Sequence, residues 1–149
     1  MVAVTILSFL FLLAVPTYKR IQRKAKTAAM ANDFRTFATA IQTRAHESGS
    51  WPAEVAPGVV PPGMTPEEFK YDDWMRVTPI GGKFDWENNQ IHSGSKFRAA
   101  IAVTATSDAP LVIDAELFLA IDQAIDDGDL TTGIFRIGNG GSPLFVIEN

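Results

Sequence analysis

The sequence predicts an α+β fold: one long N-terminal helix, kinked near Pro16, packs by its rear half on a small antiparallel sheet of about four strands, with a further helix over residues 114–126. Three observations predict it. Between Met1 and Gly49 there is no glycine and a single proline, Pro16. In the rear of that stretch the apolar residues recur at helical spacing. Beyond Arg76 the rhythm shortens to alternation, punctuated by Gly81-Gly82 and Asn139-Gly140-Gly141.

The front of the helix is uncharged from Met1 to Val15, and the basic block Lys19, Arg20, Arg23, Lys24 and Lys26 follows it. A helix over residues 1–47 extends roughly 70 Å, whereas a body made of the remaining hundred or so residues has a radius of gyration of about 13 Å. Much of the helix must therefore project. Each buried apolar side chain is worth about 1.5–3 kcal/mol relative to exposure, so a projecting Leu/Phe/Val rod requires a bilayer or other copies of itself. Ile6, Phe9, Phe11, Leu13, Pro16, Tyr18 and Ile21 are the expected contacts to filament neighbours or lipid. Pro16 removes one backbone donor and its ring presses on the carbonyl of Leu12, which predicts a kink. In lipid or in a helix bundle, neighbours can satisfy the freed carbonyl. Membrane crossing takes about 20 apolar residues, more than this run offers, and a signal peptide carries its basic residues ahead of the apolar segment. Further residues are therefore expected upstream of Met1.

In the rear half, Phe34, Phe37 and Ile41 fall with Met30, Ala38 and Ala45 in a sector about 100° wide, the width of a stripe buried on a domain. Tyr18, Ile21, Ala25 and Ala28 lie nearly opposite. The organisation expected is a projecting stem, residues 1–28, and a body, residues 29–149, that includes the rear of the helix.

Gly49 is placed to end the helix in a left-handed cap. The Pro- and Gly-rich run from Ser50 to Met64 bounds stem from body, with Trp51 at the junction. Thr65-Pro66-Glu67-Glu68 reads as a capping box opening a short helix through Tyr71–Trp74. Lys83–Glu87 alternate and set Phe84 and Trp86 on one face. Asn88–Ser95 read as a polar loop and Phe97–Thr104 as a central strand. The helix over 114–126 stops at Gly128, and Ile134–Ile137 with Leu144–Ile147 form a hairpin closing a meander. The Phe34/Phe37/Ile41 stripe is the expected cover of the sheet.

Charge is unevenly placed: residues 1–50 hold seven Lys/Arg against two Asp/Glu, and residues 106–149 hold one against eight. An acidic body excludes nucleic acid as its partner, because a phosphate-binding face needs clustered cations. There is no cysteine, so no disulfide or thiolate chemistry is available. Of the two histidines, His46 stands beside Glu47 at the helix end and His92 in the polar loop, both expected at the surface. No nucleophile-elbow, zinc-helix, P-loop or dinucleotide motif is present, so no enzyme is predicted.

The run MVAVTILSFLFLLAVPTYKRIQRKAK, with one Pro16, Tyr18 two residues on and a helix continuing beyond, resembles the amino-terminal segment of type IV pilins and of type II secretion pseudopilins. The resemblance implies a leader cleaved and a new terminus methylated by a prepilin peptidase, with a Glu near that terminus. Placing Pro16 on the family's proline puts Met1 inside the mature segment, so leader and Glu are expected upstream. It further implies a subunit held in the bacterial inner membrane, its body in the periplasm, then extracted by an assembly machinery into a filament of pilin-like subunits. A pseudopilin of type II secretion is the expectation, the body being small and cysteine-free. A membrane-tethered periplasmic binding domain that does not polymerise is the alternative.

One acidic constellation stands apart: Asp122, Asp126, Asp127 and Asp129 around Gly128, followed by Thr131 and Thr132. Carboxylates at a Gly-permitted turn suit calcium, which takes six to eight oxygens, and some pseudopilins bind calcium in a carboxy-terminal loop. Asp126, Asp127 and Asp129 are the candidate ligands. Asp122 reads as lying on the wet face of the helix. The other reading makes Asp129 a turn cap and Gly128 a helix stop, with no cofactor.

Overall fold

The computed structural model describes residues 2–149, with side chains at all of them except positions 2, 3, 5, 7, 9 and 11–14. The expected stem contacts Phe9, Phe11 and Leu13 therefore lie outside the described residues. Helix α1 (Val2–Ser48) runs through Pro16 as one uninterrupted α-helix. It ends where glycine allows it: Gly49 has φ +78° and donates its N–H to the Ala45 carbonyl at 2.9 Å.

Met30 is the first buried residue along the described part of α1. From there the helix supplies the centre of the core. Phe34 meets Phe84, Phe135 and Phe145 at ring distances of 5.7, 5.8 and 5.6 Å. Phe37 meets Phe69, Trp74 and Phe84 at 5.0, 5.0 and 4.9 Å. Ile41, one turn further on, is also fully buried. Offset and edge-on rings at these distances attract one another beyond simple burial, so the stripe predicted to cover the sheet is also the hub of its aromatic core.

Strands β1 (Lys83–His92), β2 (Ser95–Thr104), β3 (Phe135–Ile137) and β4 (Pro143–Glu148) form one antiparallel sheet in the order β1-β2-β4-β3. This departs from a meander, because β4 and not β3 lies against β2. The cause is apolar content: Leu144, Phe145 and Val146 are buried on alternate faces and need cover on both sides. β3 is three residues long and carries Arg136, which suits an edge. Helix α3 (Ala115–Ile125) fills the crossover from β2 to β3 and packs on α1.

Two further expectations fail. The capping box does not open a helix: Thr65 accepts from Phe69 N–H at 2.9 Å in one isolated turn, and helix α2 (Tyr71–Met75) starts after Lys70, whose side chain makes no cap bond. A continuous helix could not aim both Phe69 and Trp74 at Phe37, which each reaches at 5.0 Å because the chain breaks between them. Nor are residues 88–95 a polar loop. They complete β1, turn at Ser93-Gly94 and begin β2, with Gln90 paired to Phe97 and His92 to Ser95.

Candidate functional site

Along the stem, the described apolar side chains face outward. Val4, Ile6, Leu10, Val15, Tyr18 and Ile21 are each half to two-thirds exposed, and Pro16 and the basic residues from Lys19 to Lys26 are exposed too. The stem leans on the body at one place. Arg23 bridges Glu116 at 2.6 Å and Asp114 at 3.7 Å, at the start of α3, and Ala28 lines a groove with Ala120 and Ala124. Arg35 donates to the Ala124 carbonyl at 2.5 Å, capping the other end of α3. Among the described residues, no helix is long and apolar enough to cross a membrane.

The acidic constellation is built differently from its sequence reading. Asp122 is not on the wet face of α3 but fully buried, and its carboxylate oxygens have no close hydrogen-bond partner, the Gly128 backbone N–H being the one donor beside them. One oxygen each from Asp122, Asp126 and Asp127 lie within 4.8 Å of one another. Asp129 stands outside that group: its Oδ1 accepts from the Thr131 N–H at 3.0 Å and hydroxyl at 2.6 Å, the turn cap of the second reading. Asp127 accepts from the Asp129 N–H at 2.9 Å and the Thr132 hydroxyl at 3.2 Å, and Asp126 accepts from the Ile134 N–H. Gly133 makes room for the cluster, since a Cβ there would stand 1.8 Å from an Asp126 oxygen. Burial, and then the charges of Asp127, Asp126 and Asp129, push the Asp122 carboxyl above its ordinary value. Acids at the carboxyl end of a helix also oppose its dipole.

A second polar cluster has no counterpart in the sequence reading. Asp85 and Glu87, paired across β1 and β2 with Ala102 and Ala100, are almost completely buried on the sheet face away from α1. His92 joins them, its Nε2 3.4 Å from a Glu87 oxygen, and is buried where an exposed loop residue was expected. His46 is exposed, as anticipated. Alternation of Asp85 and Glu87 with Phe84 and Trp86 did place them on that face. The missing element is whatever covers it, because covering requires the strand to bend.

No family model matches the chain, and no curated protein matches it. Among solved structures, the major type IV pilin PilA1 from Clostridium difficile is similar over 87% of this chain and 98% of that one, at 15% identity and a TM-score of 0.50. That identity speaks to architecture alone. The long N-terminal helix laid on a four-stranded antiparallel sheet is a pilin-like fold.

Proposed function

We propose that the chain is a structural subunit of a type IV pilus-like filament, held in the inner membrane by its front helix with the body in the periplasm, and extracted into the filament by an assembly machinery. The observation that carries this reading is the stem: exposed Ile6, Leu10, Val15, Tyr18 and Ile21 on one helix that continues into the core. Such a surface is stable only against lipid or sister stems. Both environments satisfy it in turn, which is what insertion followed by assembly demands. A finer assignment, to a pseudopilin of type II secretion, rests on the small cysteine-free body.

The chain has no cysteine, so a single introduced one reports unambiguously. Ile21→Cys, in the full chain co-produced with an assembly machinery and oxidised in membranes, is expected to give disulfide-linked chains. Monomer alone, with the chain still in the membrane, would favour a tethered domain that does not polymerise.

The acidic loop supports a second assignment, a calcium ion held by Asp122, Asp126 and Asp127. The residues supply part of what the ion takes: calcium–oxygen distances of about 2.3–2.6 Å place oxygens on one ion up to about 5 Å apart, and three carboxylates already converge within 4.8 Å, with the remaining oxygens of its six to eight left to backbone carbonyls or water. A buried carboxylate with only the Gly128 backbone N–H beside it is otherwise costly. Bound there, the ion would neutralise the cluster and tie the end of α3 to the loop entering β3. Its ligand set is Asp122, Asp126 and Asp127 in place of the expected Asp126, Asp127 and Asp129. A rise in melting midpoint with calcium and its reversal by chelator test it.

A further inference from the structure

Glu87 and His92 lie five residues apart on one strand, where straight geometry would separate their Cα atoms by about 16 Å and put the side chains on opposite faces. Their side chains are nevertheless 3.4 Å apart. Phe97 and Ala99, two residues apart and so expected on one face, bury in different clusters, Ala99 in the main core and Phe97 with Ala100, Ala102, Leu144 and Val146. The β1–β2 pair therefore bends, and the bend is visible in the backbone. Asn89 has φ +57°, a left-handed conformation, and the pairing of β2 with β4 shifts register between Ala99 and Ala100.

Beyond the bend, residues 90–97 form an arm turned back over the outer face of the sheet. Arg136 on β3 covers the Phe97 ring at 5.4 Å. The tip is fastened to the turn before β4: Asn139 Nδ2 donates to the Ile91 carbonyl at 2.8 Å, and the Ser93 N–H donates to Asn139 Oδ1 at 2.9 Å. The Ser93 hydroxyl donates to the Ile137 carbonyl at 3.3 Å. Gly138 permits this approach, since a Cβ there would stand 2.7 Å from His92 Nδ1.

Beneath the arm sit Asp85 and Glu87. One Asp85 oxygen has no partner, and Thr104 on β2 hydrogen-bonds the side chain. Glu54, from the loop before α2, adds a third carboxylate and accepts from the Asn88 N–H at 2.5 Å. His92 faces them from the arm. No lysine or arginine bridges Asp85 or Glu87 among the described residues, since the nearby Arg98 pairs with Glu148 at 2.6 Å.

We propose that residues 90–97 are a proton-operated strap, closed over the outer face of the sheet while Asp85 and Glu87 are protonated and slackened when they ionise. Burial pushes both carboxyls up to about 7, with Glu54 adding to each. The closed arm thus binds protons that an open arm, with carboxyls near 4, would release. Closure is favoured at low pH and loses that advantage as pH rises through 7. His92 works in the opposite sense, burial holding it below its usual value, so its protonation opposes closure in more acidic solution. Two carboxyls outweigh one imidazole, so closure still strengthens as pH falls below 7, and release of the strap uncovers Phe97, Leu144 and Val146.

Hydrogen exchange of the Ile91–Phe97 amides tests this on the full chain in detergent micelles, at pH 6 and pH 8.5, with intrinsic rates divided out. Protection is expected to fall at least tenfold at the higher pH, and Asp85→Asn/Glu87→Gln is expected to stay protected at both. Equal protection in the parent chain, or an undiminished fall in the double variant, overturns the proposal. Should that variant not fold, carboxyl NMR titration of the parent and of Asn139→Ala decides. Asp85 and Glu87 are expected to titrate near 7 in the parent and lower once the tip is unfastened; titration near 4 in the parent overturns the strap.

Discussion

Asp122 shows how much one side chain depends on its surroundings. It lies on the same helix as Leu117, Phe118 and Ile121, and one residue of rotation separates a solvated acid from a buried one. Because its folded carboxyl is raised, the folded state binds more protons there than the unfolded state. Its contribution to stability is therefore greatest in acid and falls as pH rises from the unfolded value through the folded one. Asp122→Asn is expected to raise the melting midpoint in chelator by on the order of 3 °C and to abolish the response to calcium; both are read in one thermal-scan series. Phe34→Ala removes the ring that joins Phe84, Phe135 and Phe145. A cost of about 3–5 kcal/mol is expected, measured by denaturant titration of the full chain.

Among the elements, α1 has two partnerships along one rod. Its rear turns bury Met30, Phe34, Phe37 and Ile41, and its front turns leave Tyr18 and Ile21 in the open. Ile21→Lys is accordingly expected to leave the midpoint of the body within about 1 °C, since exposed substitutions cost little, while reducing filament yield severely, as judged by sedimentation of sheared fibres. The loop between α3 and β3 offers a contrasting case. Gly133 has φ +71° and no space for a methyl group beside Asp126, so Gly133→Ala must displace the carboxylate or the backbone. A loss of about 1–3 kcal/mol from strain and a diminished calcium shift are expected, checked by calorimetry with and without the ion.

For the molecule as a whole, charge separates along its length, cations on the stem and acids on the body, with Arg23 and the Asp114/Glu116 pair meeting at the seam. Those bridges are exposed, and exposed ion pairs contribute little. The larger pH effect comes from Asp85 and Glu87, whose carboxyls are raised to about 7 by burial. Folding then takes up protons between about pH 4 and 7, so stability falls across that window as pH rises. The midpoint of the chelated chain is expected to be a few degrees higher at pH 6 than at pH 8, on the order of 3 °C, and the difference is expected to shrink in Asp85→Asn/Glu87→Gln.

The amino-acid order alone determined the elements whose signals are local. A stretch with no glycine and one proline before Gly49 can only be a long helix, and the apolar spacing of Phe34, Phe37 and Ile41 already specified which face is buried. The same holds for the Asn139-Gly140-Gly141 turn and for α3, whose expected span of residues 114–126 matches the observed Ala115–Ile125. What tertiary structure decided was everything that depends on which surface meets which. β4 took the place beside β2 because it is apolar on both faces. The helix after Thr65 broke so that Phe69 and Trp74 could both reach Phe37. Asp122 went inside with the face of α3 that packs toward the core, and His92 was covered when the β1–β2 arm bent at Asn89. Local periodicity records whether a residue can face a core; only packing settles which buried polar groups find partners, and at Asp122, Asp85 and His92 that is where the chemistry of this protein is concentrated.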